Sequence, residues 1–147
     1  MTLPRTLFRI VAPLALLASA EGAVAATLLV TKTAFCGCCR IWVERMKAAG
    51  FTVKVNDVEN VTPTARRLGV PDKLRSCHTA EIGGYAIEGH VPAADIKRLL
   101  AQKPKAAGIA VPGMVAGTPG MEQGGHSEPY QVILFDRAGK TKVFASH

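Results

Sequence analysis

Three cysteines within four residues stand between a strand and a helix, and this junction constrains the fold more than any other part of the sequence. They form the CxCC motif Cys36-Gly37-Cys38-Cys39. Residues 27–33, just before it, are apolar and β-branched, which is typical of a buried strand. After the motif, apolar side chains recur on one helical face, at Cys39, Trp42, Val43, Met46 and Ala49. Gly50 then ends the helix and residues 51–58 alternate as a half-buried strand does, so the chain begins strand, helix, strand.

The middle of the chain predicts a short helix, a hairpin and a second long helix. Thr62 is suited to cap the short helix, which runs through Leu68. Residues 79–88 have the composition of a strand, interrupted at Gly83-Gly84, which favours two strands joined by a tight turn. Apolar residues at helical spacing over residues 92–102 predict the second long helix.

The last third of the chain adds a Gly/Pro-rich loop and a hairpin. Residues 108–125 lack periodicity, and a loop of this length in a compact domain is usually functional or disordered. Residues 130–135 and 142–145 are expected to close the chain as a β-hairpin. The whole order predicts an α/β fold: a thioredoxin-like sandwich with a central mixed sheet flanked by helices, the Gly/Pro-rich loop and the C-terminal β-hairpin.

The first 25 residues have the pattern of a signal peptide. Arg5 and Arg9 precede the apolar stretch 10–18, and small residues lead to Ala23-Val24-Ala25, an A-x-A cleavage pattern. The apolar stretch is far shorter than the roughly 20 residues that span a bilayer, so no permanent membrane anchor is expected. We therefore predict a signal peptide over residues 1–25, an exported domain over residues 26–147, and an oxidising surrounding for its thiols.

Composition excludes several classes of function. The chain has 147 residues, room for one domain, and its 18 Lys and Arg against 11 Asp and Glu give a net charge of +7 that is scattered along the sequence. With one Trp, two Tyr and five Phe there is little for base stacking, so no nucleic-acid partner is expected. P-loop, dinucleotide-binding and nucleophile-elbow motifs are absent from the sequence, and no site for an organic cofactor is predicted.

The cysteine motif itself favours metal binding over simple dithiol chemistry. Thiolates are stabilised at a helix N-terminus, where they act as nucleophiles and metal ligands. Cys36 and Cys39 can form a disulfide, but the adjacent Cys38 would scramble a dithiol exchange. For Cu(I) a third thiolate is an advantage, because soft sulfur ligands select this ion and can bridge more than one. Two structural interpretations stay open: one disulfide with spare thiols, and a zinc site, for which the spacing is poor.

Four residues further along extend the candidate metal set. In a thioredoxin-like fold the loop that enters the third strand lies beside the cysteine turn, so Cys77 can complete a four-sulfur cluster. The neighbouring His78 is equally suited to be a ligand or a hydrogen-bond donor to a ligand. Met114 and Met121 each follow Pro-Gly in the long loop, outside core spacing, and thioethers bind Cu(I) even where thiols are oxidised.

The remaining histidines receive weaker predictions. His90, in Gly89-His90-Val91-Pro92, is interpreted as a surface residue that caps the next helix. His126 is expected to be exposed and mobile, and is only a weak candidate for capturing metal. His147 is expected to belong to a free tail.

Four ordered blocks carry a resemblance to a known family. They are Cys36-Gly37-Cys38-Cys39, Ser76-Cys77-His78-Thr79-Ala80, Gly84 to Pro92, and the two Pro-Gly-Met segments Ala110 to Met114 and Gly117 to Glu122. The sequence resembles the exported bacterial copper-resistance proteins called CopG. This resemblance implies a thioredoxin-like periplasmic domain that binds copper through its cysteines and acts in copper detoxification, including redox conversion of the bound ion. It also implies metal-binding roles for the four cysteines and for the Pro-Gly-Met turns.

These observations lead to one main hypothesis and two alternatives. The main hypothesis is a periplasmic copper-resistance protein that binds copper, preferably Cu(I), at Cys36, Cys38, Cys39, Cys77, His78, Met114 and Met121, and interconverts Cu(I) and Cu(II). The first alternative is a thiol–disulfide oxidoreductase with Cys36 as nucleophile and Cys39 as resolving thiol. The second is a metallochaperone that hands copper to a periplasmic copper-export or copper-oxidase protein. Ag(I) suits the same ligands.

Overall fold

The computed structural model of the protein describes residues 26–122 and 124–147, so the predicted signal peptide lies outside the described residues. The strands are β1 (Leu28–Lys32), β2 (Val53–Asp57), β3 (His78–Ile82), β4 (Tyr85–Glu88), β5 (Gly108–Ala110), β6 (Gln131–Phe135) and β7 (Thr141–Ser146). The helices are α1 (Gly37–Ala48), α2 (Thr62–Arg67) and α3 (Ala93–Gln102), with a 3₁₀ turn at Asp72–Leu74. The predicted mixed α/β fold is confirmed. None of these helices combines the length and the apolar character that a membrane crossing requires.

All seven strands belong to one mixed sheet, in the order β2-β1-β3-β4-β5-β6-β7. The β1–β2 and β4–β5 pairs are parallel, and the other four pairs are antiparallel. β2 is therefore an edge strand, and the prediction that its alternating residues are half buried was too strong: Val53 is partly buried but Val55 is exposed. The edge position leaves no neighbour to cover its outer side.

The two predicted hairpins are confirmed. β3 and β4 pair directly, and the turn between them consists of Gly83 and Gly84, with φ angles of 57° and 82°. A two-residue turn in which both residues have positive φ matches the twist of antiparallel strands and favours glycine. β6 and β7 form the C-terminal hairpin, and a register shift lies between Val132 and Ile133.

Two boundaries differ from the sequence prediction. Thr62 does not cap α2 but is its first residue; the Asn60 side-chain oxygen instead accepts a hydrogen bond from the Thr62 amide at 2.9 Å. The loop predicted over residues 108–125 begins later, because residues 108–110 form β5 beside β4. Gly108 permits this pairing, since a Cβ there would lie 2.0 Å from the carbonyl oxygen of Ala86. β5 has no recognisable periodicity in the sequence because the strand is only three residues long.

The core lies on both faces of the sheet and fixes where α1 starts. Ala86 and Ile87, adjacent in β4, belong to different apolar clusters, as alternation along a strand requires. The cluster on the Ile87 side holds the buried face of α1 and that of α3; its members include Leu28, Val30, Trp42, Val43, Met46, Ile82, Ile96, Leu99 and Ile109. The indole N–H of Trp42 also donates to the carbonyl oxygen of Val91 at 2.9 Å. These contacts hold the first turn of α1, with its cysteines, at the end of β1.

Candidate metal site

The sulfur atoms of all four cysteines lie within 4.8 Å of one another. Cys36 caps α1, and its sulfur accepts a hydrogen bond from the Cys39 amide at 3.3 Å. Cys38 and Cys39 lie in the first turn of the helix, and the Cys38 sulfur is 3.5 Å from that of Cys36. Cys77 is the residue just before β3, and its carbonyl oxygen is 3.7 Å from the Cys39 sulfur. Residues 38 positions apart in the sequence therefore meet at one point.

The oxidation states of the four cysteines differ. Cys36 and Cys39 form a disulfide, whereas Cys38 and Cys77 are free thiols among the described residues. Reducing the disulfide would place four thiols in the same small volume. Four thiolates so close together repel one another strongly in a partly buried site, and a cation that they share relieves this repulsion.

The surroundings of Cys77 keep its thiol neutral when no metal is bound. Burial, with a smaller effect of the nearby Cys38, raises the pKa of Cys77 to about 12. The hydroxyl of Ser76 faces the Cys77 sulfur at 3.9 Å and opposes part of this shift. A soft cation would displace the proton and replace it with a metal–sulfur bond.

His90 lies in the site, and the prediction that it is a surface residue was wrong. Its side chain is fully buried, and Nε2 is 3.1 Å from the Cys77 sulfur. Nδ1 lies 2.8 Å from the carbonyl oxygen of Pro119, which can only accept, so Nδ1 carries the proton. Nε2 therefore directs its lone pair at the cysteine cluster. Burial lowers the pKa of His90, which keeps the ring neutral and able to bind a metal.

His78 is the second histidine beside Cys77. It is fully buried, and its Nδ1 is 3.4 Å from the Cys77 sulfur. Its ring centroid lies 4.4 Å from that of Trp42 and 5.0 Å from that of His90. Nε2 has no hydrogen-bond partner among the described residues, and burial lowers the pKa of His78 to about 3. The Cys77 sulfur and one ring nitrogen from each of His78 and His90 lie within 4.8 Å of one another. These three residues therefore form a second donor group, which shares Cys77 with the four cysteines.

The segment that carries Met121 packs against the first turn of α1. Gly120 has a φ of +88°, and a Cβ there would lie 2.8 Å from the Cys38 carbonyl oxygen and 2.9 Å from the Trp42 amide nitrogen. Glu122 fixes the same segment, because its carboxylate accepts from the Gly120 amide at 2.7 Å and pairs with Arg45 at 3.2 Å. Met121, the residue after Gly120, is partly buried. The loop thus closes over the cysteine end of the helix.

Met114 lies on a separate turn beside the Cys77 segment. The Ser76 hydroxyl donates to the Gly113 carbonyl oxygen, and the Gly113 amide donates to the Arg75 carbonyl oxygen at 3.1 Å. The Met114 side chain is 56% exposed. The two Pro-Gly-Met turns therefore pack against different elements: Gly120 lies against α1, and Gly113 lies against the segment before β3.

The other two histidines lie away from the cysteine cluster. His126 is exposed, as expected, and its Nε2 is 3.5 Å from Glu128. His147 is not a free tail: its Nε2 lies 2.8 Å from the buried Asp95, and its ring stacks on Tyr130 with centroids 4.9 Å apart. His147 thus joins the C-terminal hairpin to α3, a contact that no local sequence pattern predicts.

Comparison with known proteins gives one matching family and two matching structures. Residues 74–121 match a family described as "Protein of unknown function, DUF411". Copper resistance protein CopG, Form 2, is 42% identical, with a TM-score of 0.79 over 83% of this chain and 98% of that chain. Form 1 is also 42% identical, with a TM-score of 0.78 over 82% and 96%. No curated protein matches the sequence. The chain belongs to the CopG family.

Membership in the CopG family confirms the resemblance found in the four sequence blocks. The DUF411 segment spans Cys77, His78, His90 and both Pro-Gly-Met turns but excludes the CxCC motif. The CopG structures match over most of the chain. His90 lies inside one of the four sequence blocks, between Gly89 and Val91-Pro92, and that block is the sequence signal that could have indicated its role.

Proposed function

We propose that the protein binds copper as Cu(I) on Cys36, Cys38, Cys39 and Cys77 and acts in copper resistance. The observation that carries the proposal is the set of four sulfur atoms within 4.8 Å of one another. Soft thiolate and thioether ligands favour Cu(I), and sulfur can bridge several such ions. Membership in a family with solved structures of a copper resistance protein supports the same metal.

Nitrogen and thioether donors complete the proposed site. His78 and His90 each direct a ring nitrogen toward the Cys77 sulfur, at 3.4 Å and 3.1 Å. His90 is added here to the ligands that the sequence predicts. Met114 and Met121 are proposed as thioether ligands on turns that pack against the segment before β3 and against α1. A mixed set of soft sulfur and neutral imidazole accommodates both Cu(I) and Cu(II).

We also propose that residues 1–25 are removed and that the mature domain, residues 26–147, lies in the periplasm. The A-x-A pattern at Ala23-Val24-Ala25 supports this. We further propose that the fold is thioredoxin-like. The order β2-β1-β3-β4, with β1–β2 parallel and β3 antiparallel to both of its neighbours, supports that description, as does a cysteine pair at the start of the helix after β1.

A redox role is the second candidate, and the Cys36–Cys39 disulfide favours it. Closing this disulfide from the dithiol releases two electrons and two protons, enough to reduce two Cu(II) ions to two Cu(I) ions. The disulfide state then retains Cys77, His78 and His90, a Cys-His₂ set that suits Cu(II). The same cysteine pair would serve a thiol–disulfide oxidoreductase, with a protein disulfide in place of Cu(II) as oxidant. Transfer of copper to an export or oxidase protein is a third outcome.

Copper titration of the reduced and oxidised protein tests the main proposal. The fully reduced mature protein is expected to bind more Cu(I) per chain than the protein with the disulfide closed, because the disulfide removes two of the four sulfur donors. Copper and protein are measured after desalting, with a Cu(I) chelator as competitor and free thiols counted in parallel. His126→Ala is the matched control, since this exposed residue can bind metal but lies outside the cluster. Equal copper content in the two redox states would contradict the four-sulfur site.

A Cys38→Ser variant separates copper binding from dithiol exchange. The Cys36–Cys39 pair does not need Cys38, so disulfide exchange is expected to be retained. Copper per chain is expected to fall, because one of the bridging sulfurs is lost. Reduction of a small disulfide substrate and Cu(I) stoichiometry are measured on the same preparation. Undiminished copper binding in this variant would argue against a role for the third thiol.

A further inference from the structure

We propose that Glu88 is a positioning residue for Cys77: its buried carboxylate holds residues 75–79 so that the Cys77 sulfur faces the other three cysteines. The positioning of Cys77 by Glu88 does not depend on the proposed function, whereas its consequence for copper binding rests on it. Glu88 is the last residue of β4 and is not among the metal-binding candidates.

The carboxylate of Glu88 is fully buried and accepts three hydrogen bonds. Oε1 accepts from the Ser76 amide at 2.7 Å and from the Arg75 side-chain Nε at 3.4 Å. Oε2 accepts from the Thr79 hydroxyl at 2.6 Å. A buried charge is costly unless it is paired and hydrogen-bonded, and here Arg75 supplies the opposite charge. All three donors come from the chain segment that surrounds Cys77.

These contacts restrain Cys77 on both sides along the chain. The Ser76 amide lies just before Cys77 in the chain, and the Thr79 hydroxyl lies two residues after it. The two carboxylate oxygens therefore bridge across Cys77 and His78. Next along the chain, Gly89 allows close contact, since a Cβ there would lie 2.7 Å from the Ser76 Cβ. An aliphatic residue at position 88 would fill the same space but would hold neither end of this segment.

The restrained segment in turn holds the Met114 turn. The Ser76 hydroxyl donates to the Gly113 carbonyl oxygen, and the Arg75 carbonyl oxygen accepts from the Gly113 amide. Displacing residues 75–76 would therefore move a second candidate ligand as well as Cys77. Glu88 thus connects the sheet to both a thiol and a thioether without contacting either.

Alkylation of Cys77 in metal-free protein tests the inference. The Cys38→Ser background with the Cys36–Cys39 disulfide intact leaves Cys77 as the free thiol. Glu88→Leu is expected to raise the rate of iodoacetamide alkylation about tenfold, which corresponds to about 1.4 kcal/mol of easier opening. Glu88→Gln keeps an oxygen that can accept from Ser76, so its rate is expected to stay within about threefold of the parent. An unchanged rate in Glu88→Leu would overturn the proposal.

Two controls distinguish positioning from general destabilisation. Thr79→Val removes the contact to Oε2 but leaves the Ser76 contact, and Glu81→Gln removes an exposed ion pair with Arg67. Glu81→Gln is expected to alkylate at the parent rate. Thr79→Val is expected to alkylate at a rate between those of the parent and Glu88→Leu, because the Ser76 end of the segment stays held. Acceleration in Thr79→Val equal to that in Glu88→Leu, or any acceleration in Glu81→Gln, would overturn the specific role. If Glu88→Leu does not fold, Glu88→Asp replaces it: the shorter side chain draws the carboxylate away from Ser76, and the same increase is expected.

Copper measurements in the otherwise unmodified chain test the consequence. Glu88→Leu is expected to lower Cu(I) affinity about tenfold, the lower end of the range for residues that orient metal ligands, and Glu88→Gln is expected to restore most of it. Faster alkylation with unchanged Cu(I) affinity would overturn the link to copper. Failure of the parent chain to bind Cu(I) would instead refute the proposed function, while the alkylation rates would still decide the role of Glu88.

Discussion

Replacing Cys77 with serine is expected to lower Cu(I) affinity by more than about 100-fold. Loss of a residue that merely orients a metal ligand typically costs roughly 10–100-fold, and loss of the ligand itself should cost more. Cys77 also belongs to both donor groups, the four cysteines and the set with His78 and His90. Its removal therefore damages the site in the reduced and in the disulfide state. Competition with a Cu(I) chelator, under reducing conditions, measures the change.

The Cys77→Ser variant also isolates the two chemistries of the site. The Cys36–Cys39 pair stays intact, so thiol–disulfide exchange is expected to continue at close to the parent rate. His126→Ala serves again as the control that leaves Cu(I) affinity unchanged. Cu(I) affinity within about threefold of the parent would mean that Cys77 is not a ligand, and the copper proposal would then rest on the CxCC motif alone.

The sequence predicts the cysteine end of the site well because local signals determine it. Strand composition before Cys36, helical periodicity after Cys39 and glycine at position 50 fix the strand–helix junction, and the structure has it at residues 28–48. The approach of Cys77 depends on the topology, which places β3 beside β1 in an antiparallel pair. The order of elements predicted the position of Cys77 beside the cysteine turn, but it did not predict the strand pairing itself.

The histidine end of the site was predicted less well, because its position depends on long-range contacts. His90 follows a strand and precedes a helix, which locally favours a capping role at the surface. It is buried because the loop residue Pro119, 29 positions later, supplies the acceptor for Nδ1. The loop itself could be assigned from composition, but no periodicity indicates that Gly120 rests on α1. Contacts of this kind are visible only once the fold is known.

The contact between Gly120 and α1 makes a large and position-specific prediction. Gly120→Ala is expected to lower the free energy of unfolding by about 2–5 kcal/mol, combining a left-handed backbone with a Cβ forced against backbone atoms. The atoms concerned are the Cys38 carbonyl oxygen and the Trp42 amide nitrogen, neither of which can rotate away. Urea unfolding of the metal-free protein, followed by circular dichroism, measures the loss.

Gly113→Ala is the matched control, because it lies in the other Pro-Gly-Met turn. Its φ of +72° carries the same backbone cost, but a Cβ there would meet nothing within 4 Å. A loss of only about 1–2 kcal/mol is therefore expected. Equal losses in the two variants would show that the loop does not press on α1.

The larger loss in Gly120→Ala should be accompanied by weaker Cu(I) binding. Pro119 would move together with residue 120 and leave His90 without the acceptor that orients Nε2.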